Sequence, residues 1–339
     1  TNPWQRGTSF TGPTGAYTAD RFYLGTSYDG VSNVLKTADA PTAAQAGVFT
    51  QHCLHIDVTT ADASIAAAQL YVVQQKVEGY DAASFGFGQA GTRYVTLSFW
   101  HKHTKTGTYC VTLRNSAGDR TYIAEYTQDV TDTWEQATVT IAVDTSGTWL
   151  YDSGTGISIT WAVACGTDRQ STAGSWQAGN FLATANQVNA LDSTANNFKI
   201  ALVQLEAGSV ATPFETRPYG TELALCQRYY YRNTDGGSGN SLVGQGFSQS
   251  TTAGRAMLPF PVPMRAAPAA LEQSGTATHY RVIAGAGGSV VCSAVPIFST
   301  SSITCGDISW TLASGATSNQ GIYFGFNSTS GYLGFSAEL

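Results

Sequence analysis

The feature that most constrains this chain is a hydrophobic period of two. In RYVTLSFW, residues 93–100, Val95, Leu97 and Phe99 fall on one side while Tyr94, Thr96 and Ser98 fall on the other. That is the pattern of a strand with one face on a core. Similar strands read at CVTLRN, ATVTIAV, ISITWAVAC, FKIALVQLE, RVIAGA, GIYFGF and YLGFSAEL, and the turn-forming stretches NSAGD, DTSGTW, DSGTG and TDGGSGN lie between them. Strands at this spacing build sandwiches or jelly rolls rather than parallel sheets. The composition agrees: only 12% of residues are charged, and 36 Gly, 17 Tyr, 15 Phe and 7 Trp suit aromatic sheets joined by turns. With so few charges, Ser, Thr, Asn and Gln must keep the surface wet. The expected class is all-β, and 339 residues suggest two domains at roughly 100–200 residues each.

Two stretches invite a helical reading. In ADASIAAAQLYVVQQKVEGY the apolar positions keep no helical stripe and Val72 and Val73 are β-branched, so a short turn leading into a strand is expected. In GTELALCQRYYYR, Thr221 and Glu222 can open a short helix. That helix would carry the chain from a jelly-roll domain, residues 1–218, into a smaller C-terminal β-sandwich, residues 219–339. Just beyond, Pro259, Pro261, Pro263 and Pro268 crowd one window. So many prolines predict an edge strand or an extended arm.

The net charge is −6 and no run of Lys or Arg could neutralise successive phosphates, so nucleic acid is not an expected partner. No apolar stretch approaches the roughly 18 residues that span a bilayer, and the start, TNPWQRGTSF, lacks the regions of a signal peptide, so membrane insertion is not expected. A chain beginning with Thr reads as a fragment lacking its amino-terminal part, or as a processed form. Six scattered Cys, without a C-x-x-C pair, read as free buried thiols suited to a reducing cytoplasm; a Cys292–Cys305 hairpin bridge stays open.

Motifs for nucleophile elbows, zinc proteases and phosphate loops are absent from the sequence. A glycosidase leaves no local motif, because its two carboxylates need only meet in space. Asp144 and Asp152, flanking Trp149 and Tyr151, are the pair to test for polysaccharide cleavage, though the favoured expectation is a non-enzymatic protein. His101 and His103 share a strand face and could grip one metal, but two ligands make a weak site, and solvent-facing histidines are the expectation. His52 and His55 fall on opposite faces. What remains is aromatic rings in a hydroxyl- and amide-rich setting, the chemistry of sugar recognition. Trp149, Tyr151, Trp161 and Trp176 fall in or beside loops and strand ends and are the candidate glycan contacts, with core packing as the alternative for each. Trp100 and Trp134 read as packing residues.

Several stretches in order, WQRGTSFT…GAYTADRFYL, QQKVEGYD, VTLSFW, TWEQATVTIAVDTSGTW, ALVQLEAGSVATPFETRPYGTELALCQRYY, FPVPMRAAP and YLGFSAEL, resemble bacteriophage tail-fibre and related virion structural proteins. The block 204–230 carries the resemblance most specifically. It implies a carbohydrate-binding-module-like jelly roll joined to a smaller β-domain, displayed on a virion and trimeric, with other virion proteins and a bacterial surface glycan as partners. Leu202 and Leu205 would anchor opposite faces of the last jelly-roll strand, and Pro213 would end its ladder. Some such modules hold a structural calcium near a carboxylate of that strand, which makes Glu206 the candidate ligand. Assembly in the host cytoplasm follows from the same resemblance. A purely structural head fibre or tail-assembly protein is the alternative, and a depolymerase the third. No heptad repeat marks a coiled coil, so a trimer would form through β-domain faces.

Overall fold

A computed structural model describes residues 2–284 and 288–339. The chain forms two compact units, residues 1–218 with Leu339, and residues 219–338. Both are built from antiparallel sheets.

The N-terminal unit is a two-sheet sandwich. One sheet has six strands in the order β1 (Ser9–Phe10), β4 (Val31–Thr37), β5 (Cys53–Thr60), β13 (Asn197–Ala207), β7 (Tyr94–His103) and β10 (Glu135–Ala142). The other has seven, in the order β12 (Trp176–Ala178), β9 (Arg120–Gln128), β8 (Gly107–Arg114), β11 (Thr155–Cys165), β6 (Leu70–Glu78), β3 (Phe22–Ser27) and β2 (Ala16–Tyr17). Neighbours distant in sequence, such as β13 beside β5 and β7, give the crossing connections of a jelly roll. Val95, Leu97 and Phe99 face Ile157, Ile159, Trp161 and Val163 across one core, as the alternation requires. Burying each such side chain contributes about 1.5–3 kcal/mol.

β11 is covered on both faces. Its other side, with Ala162 and Cys165, joins Val72, Cys110 and Ile123 under a strap that supplies Leu182 and Ala183. The strap is tied by a parallel bridge between Gln170 and Ala183.

The same alternation overturns one expectation. His101 and His103 continue the Val95, Leu97, Phe99 series and are buried, not facing solvent. His103 meets the Tyr126 hydroxyl at 3.2 Å, and Gln128 accepts from the His103 amide and pairs with His101 Nδ1 at 3.0 Å. Polar partners on β9 thus let a strand face run apolar and then imidazole without leaving the core.

β13 carries a bulge between Ala201 and Gln204, where Leu202 takes a left-handed φ of 50°. The extra residue re-aims the strand: Leu205 packs on the main core, while Leu202 packs outside with Cys53, Trp100 and Trp134. The ladder ends at Ala207, before Pro213. Glu206 then ties the exit, accepting from the Thr212 amide (2.9 Å) and hydroxyl (2.6 Å) and from Gln204 Nε2 (3.1 Å).

The C-terminal unit opens on a helix, Tyr219–Gln227, two residues earlier than Thr221 suggested. A three-stranded sheet, β14 (Tyr230–Thr234), β23 (Tyr332–Ser336) and β17 (Leu271–Gln273), packs on a seven-stranded one. The larger sheet runs β19 (Gly288–Val291), β18 (Tyr280–Ala284), β22 (Gly321–Phe326), β15 (Leu242–Ser248), β16 (Ala253–Pro259), β21 (Cys305–Thr311) and β20 (Ala294–Ser301). The strand read over 281–286 is met by β18, and residues 285 and 286 lie outside the described residues. The proline-rich window divides: its first residues end β16, a central strand paired on both sides rather than an edge, while Pro261, Pro263 and Pro268 lie in the strand-free stretch 260–270, as an extended arm requires. Pro259 is tolerated because it is the last residue of β16, beyond the β15 pairing that stops at Met257. The six Cys are free thiols, so Cys292 and Cys305 are not bridged.

Candidate functional site

At one end of the N-terminal sandwich, Phe87, Trp149, Trp176 and Tyr122 form a ring cluster. Phe87 and Trp149 have centroids 4.4 Å apart; Trp176 meets Phe87, Trp149 and Tyr122 edge-on at 5.5–5.8 Å. Edge-to-face contacts of this kind add about 0.5–1.5 kcal/mol each and hold the rings rigidly. The indole N–H groups are satisfied, Trp149 donating to the Ser146 carbonyl (2.8 Å) and Trp176 to the Ala142 carbonyl (2.7 Å).

The loop beneath is FGFGQ, with Gly86 at φ 72° and Gly88 at φ 74°. A Cβ on Gly88 would stand 3.0 Å from Trp149 Cδ1 and 3.6 Å from the Tyr151 hydroxyl, so glycine admits both rings. Tyr151 donates its hydroxyl to the Phe87 carbonyl and accepts from Gln89 Nε2 at 3.2 Å. Its ring is 38% exposed, whereas Trp149 is only 6% exposed.

Of the four candidate aromatics, the fold therefore brings three together, with Tyr151 open, Trp176 half-buried and Trp149 forming their support. Trp161 is corrected to a core residue: it is 0% exposed, packed edge-on against Phe99 at 5.6 Å and against Phe22 at 6.4 Å. Its place on β11 decides this, since it shares a face with Ile157 and Ile159. The sequence reading missed Phe87, Gln89 and Tyr122. The paired glycines of FGFGQAG were the available signal, marking a tight turn that presents its side chains.

The carboxylates flanking the cluster are engaged. Arg120 clamps Asp144 through Nε (2.7 Å) and Nη2 (3.1 Å), and Asp144 also accepts from the Ser146 amide at 3.0 Å. Asp152 Oδ1 accepts from the Gly154 amide at 2.7 Å within its own turn. Glu206 is spent on Thr212 and Gln204; burial raises its carboxyl, but those hydrogen bonds outweigh it and hold the group below its ordinary range. Among the described residues, no three His, Cys, Asp or Glu side chains gather as a metal-binding group.

On the outer face of the six-stranded sheet, Asp39 receives Lys199 (2.6 Å), Lys102 (3.1 Å) and the Trp134 indole (3.1 Å). Burial raises the Asp39 carboxyl, yet these donors prevail and hold it to about 2. The basic HKHTK stretch thus divides, its histidines inward and Lys102 in this ion network.

The geometry defines an all-β, antiparallel, two-sheet sandwich with an aromatic cluster at one end, followed by a second β-sandwich. Several solved structures are similar to it at 10–12% identity. The enzymatically active domain of bacteriophage CBA120 tailspike protein 4 aligns over 55% of this chain and 19% of its own, with 12% identity and a TM-score of 0.32. TmCBM61 in complex with β-1,4-galactotriose aligns over 55% and 88%, with 10% identity and a TM-score of 0.28. The tandem CBM22-1–CBM22-2 domains of Paenibacillus barcinonensis Xyn10C align over 93% of both chains, with 10% identity and a TM-score of 0.27. The match covers less than a fifth of the tailspike chain. No family model and no curated protein matches the sequence.

Proposed function

We propose that this chain is a fibre protein of a bacteriophage virion, a tail or receptor-binding fibre whose N-terminal unit presents a glycan-binding surface to the bacterial host without catalysing a reaction. The observation that carries the reading is the Tyr151 ring, exposed but fixed at its hydroxyl, beside the Gln89 amide and on a rigid aromatic base. A pyranose lays its C–H face on such a ring while an amide bonds its hydroxyls. Six free thiols suit assembly in the host cytoplasm before incorporation into a virion with other structural proteins.

Self-association fits the outer face of the C-terminal seven-stranded sheet. Met257 and Tyr323 flank Gln245 in register and, with Leu242 and Pro259, line an open groove of about 610 Å³. Phe247 extends the exposed apolar surface along β15. With no heptad repeat in the given sequence, such a face suits further copies of the chain, a homotrimer giving three weak glycan sites the gain of effective concentration. This same face supports the second reading, a head-fibre or tail-assembly protein whose sandwiches serve only contacts between subunits.

The test is a glycan array on the full chain, its solution mass measured first. Selective binding lost in Tyr151→Ala, with the fold retained, supports the adhesin. Failure of a correctly assembled trimer to bind any envelope polysaccharide of plausible hosts would move the assignment to the second reading.

A further inference from the structure

The outer face of the N-terminal seven-stranded sheet holds a pair of guanidinium groups that the aromatic end does not use. Arg114 ends β8, in register with Ser158 on β11 and Thr121 on β9. Thr112 lies on the same face two residues earlier, opposite Thr160. Arg114 donates through Nη2 to the Thr160 hydroxyl at 3.3 Å and through Nη1 to Asn180 Oδ1. Thr160 also receives Gln74 Nε2 at 3.2 Å. The second cation, Arg169, comes from the short turn Thr167–Arg169 of the strap and donates to the backbone carbonyl of Asn180 at 3.3 Å.

Two guanidinium groups therefore converge on one asparagine, and among the described residues neither has a carboxylate within ion-pair distance. Arg114 Nε and Thr112 Oγ1 are both sealed from solvent with no hydrogen-bond partner. Burial, and then the neighbouring Arg169 charge, pull the Arg114 guanidinium down from its usual value to about 10. A shortage of acids is no explanation, since the chain carries 23 Asp and Glu against 17 Lys and Arg. A partly buried cation whose charged neighbour is another cation is costly, and an anion placed between the two removes that cost. The planar guanidinium fork matches a planar or tetrahedral oxyanion and fixes its orientation.

We propose that Arg114 and Arg169, with Thr112, Thr160 and Asn180, bind the oxyanion of an acidic sugar, the carboxylate or phosphate group of a charged bacterial polysaccharide. The site rests on the reading of this unit as a glycan-binding module and adds a charge-selective position on the sheet face, apart from the Tyr151 end. It makes the strap a recognition element as well as a cover, because Arg169 and Asn180 both come from it.

The experiment is calorimetric titration of the full chain with oligogalacturonate, with glycerol phosphate and with a neutral galactose oligomer. At least one of the two anions is expected to bind and to raise Tm, weakening as salt rises; which one does so separates a uronic acid from a phosphate-bearing glycan. Arg114→Gln should weaken that binding at least tenfold, and Arg169→Gln, on a turn with no buried residue, gives the same reading if the first variant fails to fold. The inference is overturned if neither anion binds at tens of millimolar, or if anion binding survives Arg169→Gln unchanged. Neutral glycans binding in a Tyr151-dependent way beside either of those results would leave the proposed function standing and remove only this site.

Discussion

The imidazole of His103 lies flat on the ring of Phe198, centroids 4.1 Å apart and planes 12° from parallel. His101 also stacks against His103 at 5.2 Å, with Tyr126 and Gln128 beside it. Burial, followed by the neighbouring His101, pushes the His103 imidazole well below its usual value. Burial also lowers His101, against smaller opposing effects of Gln128, Glu135 and Asp129. A depressed folded-state pKa means that the unfolded chain takes up the proton first. The contribution of both groups to stability is thus complete above the unfolded value of 6.5 and is lost as pH falls below it. The unfolding free energy from urea titrations should decline below pH 6.5 by up to about 1.4 kcal/mol per histidine per pH unit. His103→Gln should flatten that decline, and an unchanged slope would count against the buried neutral pair.

Tyr151 and Trp149 are adjacent, yet substitution should separate them. Trp149→Ala removes a buried indole and should cost about 3–5 kcal/mol. Tyr151→Ala should stay within about 1 kcal/mol, as for an exposed ring, while abolishing glycan capture. Thermal melts alongside the array distinguish the two.

Arg120 and Asp144 form a clamp that is worth more than a surface pair, because the carboxylate side chain is only 5% exposed. Arg120→Leu leaves that charge unpaired and should destabilise by about 3 kcal/mol. The double variant Arg120→Leu/Asp144→Leu should recover part of the loss in denaturant titrations. No recovery would show that the arginine acts through packing instead.

In the C-terminal unit, Gly254 lies under Trp310. A Cβ there would stand 2.2 Å from Trp310 Cζ2 and 2.2 Å from the Phe247 carbonyl. Backbone on one side and a fully buried indole on the other leave no room to yield, so Gly254→Ala should cost upward of about 2 kcal/mol. Near-ultraviolet circular dichroism of the Trp310 environment would register the loss.

Met257→Lys with Tyr323→Lys places two charges on the exposed sheet face without touching its core. If copies of the chain associate there, the solution mass should fall to that of one chain while the melting curve keeps its shape. An unaltered mass would put the contact elsewhere.

The sequence by itself determined that the chain is all-β, that particular stretches are strands, and which residues of a strand share a face. Period two and turn composition are local properties, legible wherever one side of a strand is buried. It also brought three of the four aromatic candidates into view, because Trp149, Tyr151 and Trp176 flank turns. What it left open was which face meets the core and what lies opposite. The polarity of His101 and His103 argues for water while the alternation of β7 carries them inward, and Tyr126 and Gln128, on β9, make their burial tolerable. For Trp161 the sequence leaves glycan contact and core packing open; β11 is buried on both faces, its second cover coming from a strap that begins after the strand ends, and this decides for the core. Pro259 ends a central strand rather than an edge, and Pro261, Pro263 and Pro268 follow in a strand-free stretch. Arg114, Arg169 and Asn180 are up to 66 residues apart and share no pattern. Long-range sheet pairing decides such placements, since a strand's partners and covers depend on residues that local periodicity does not reach.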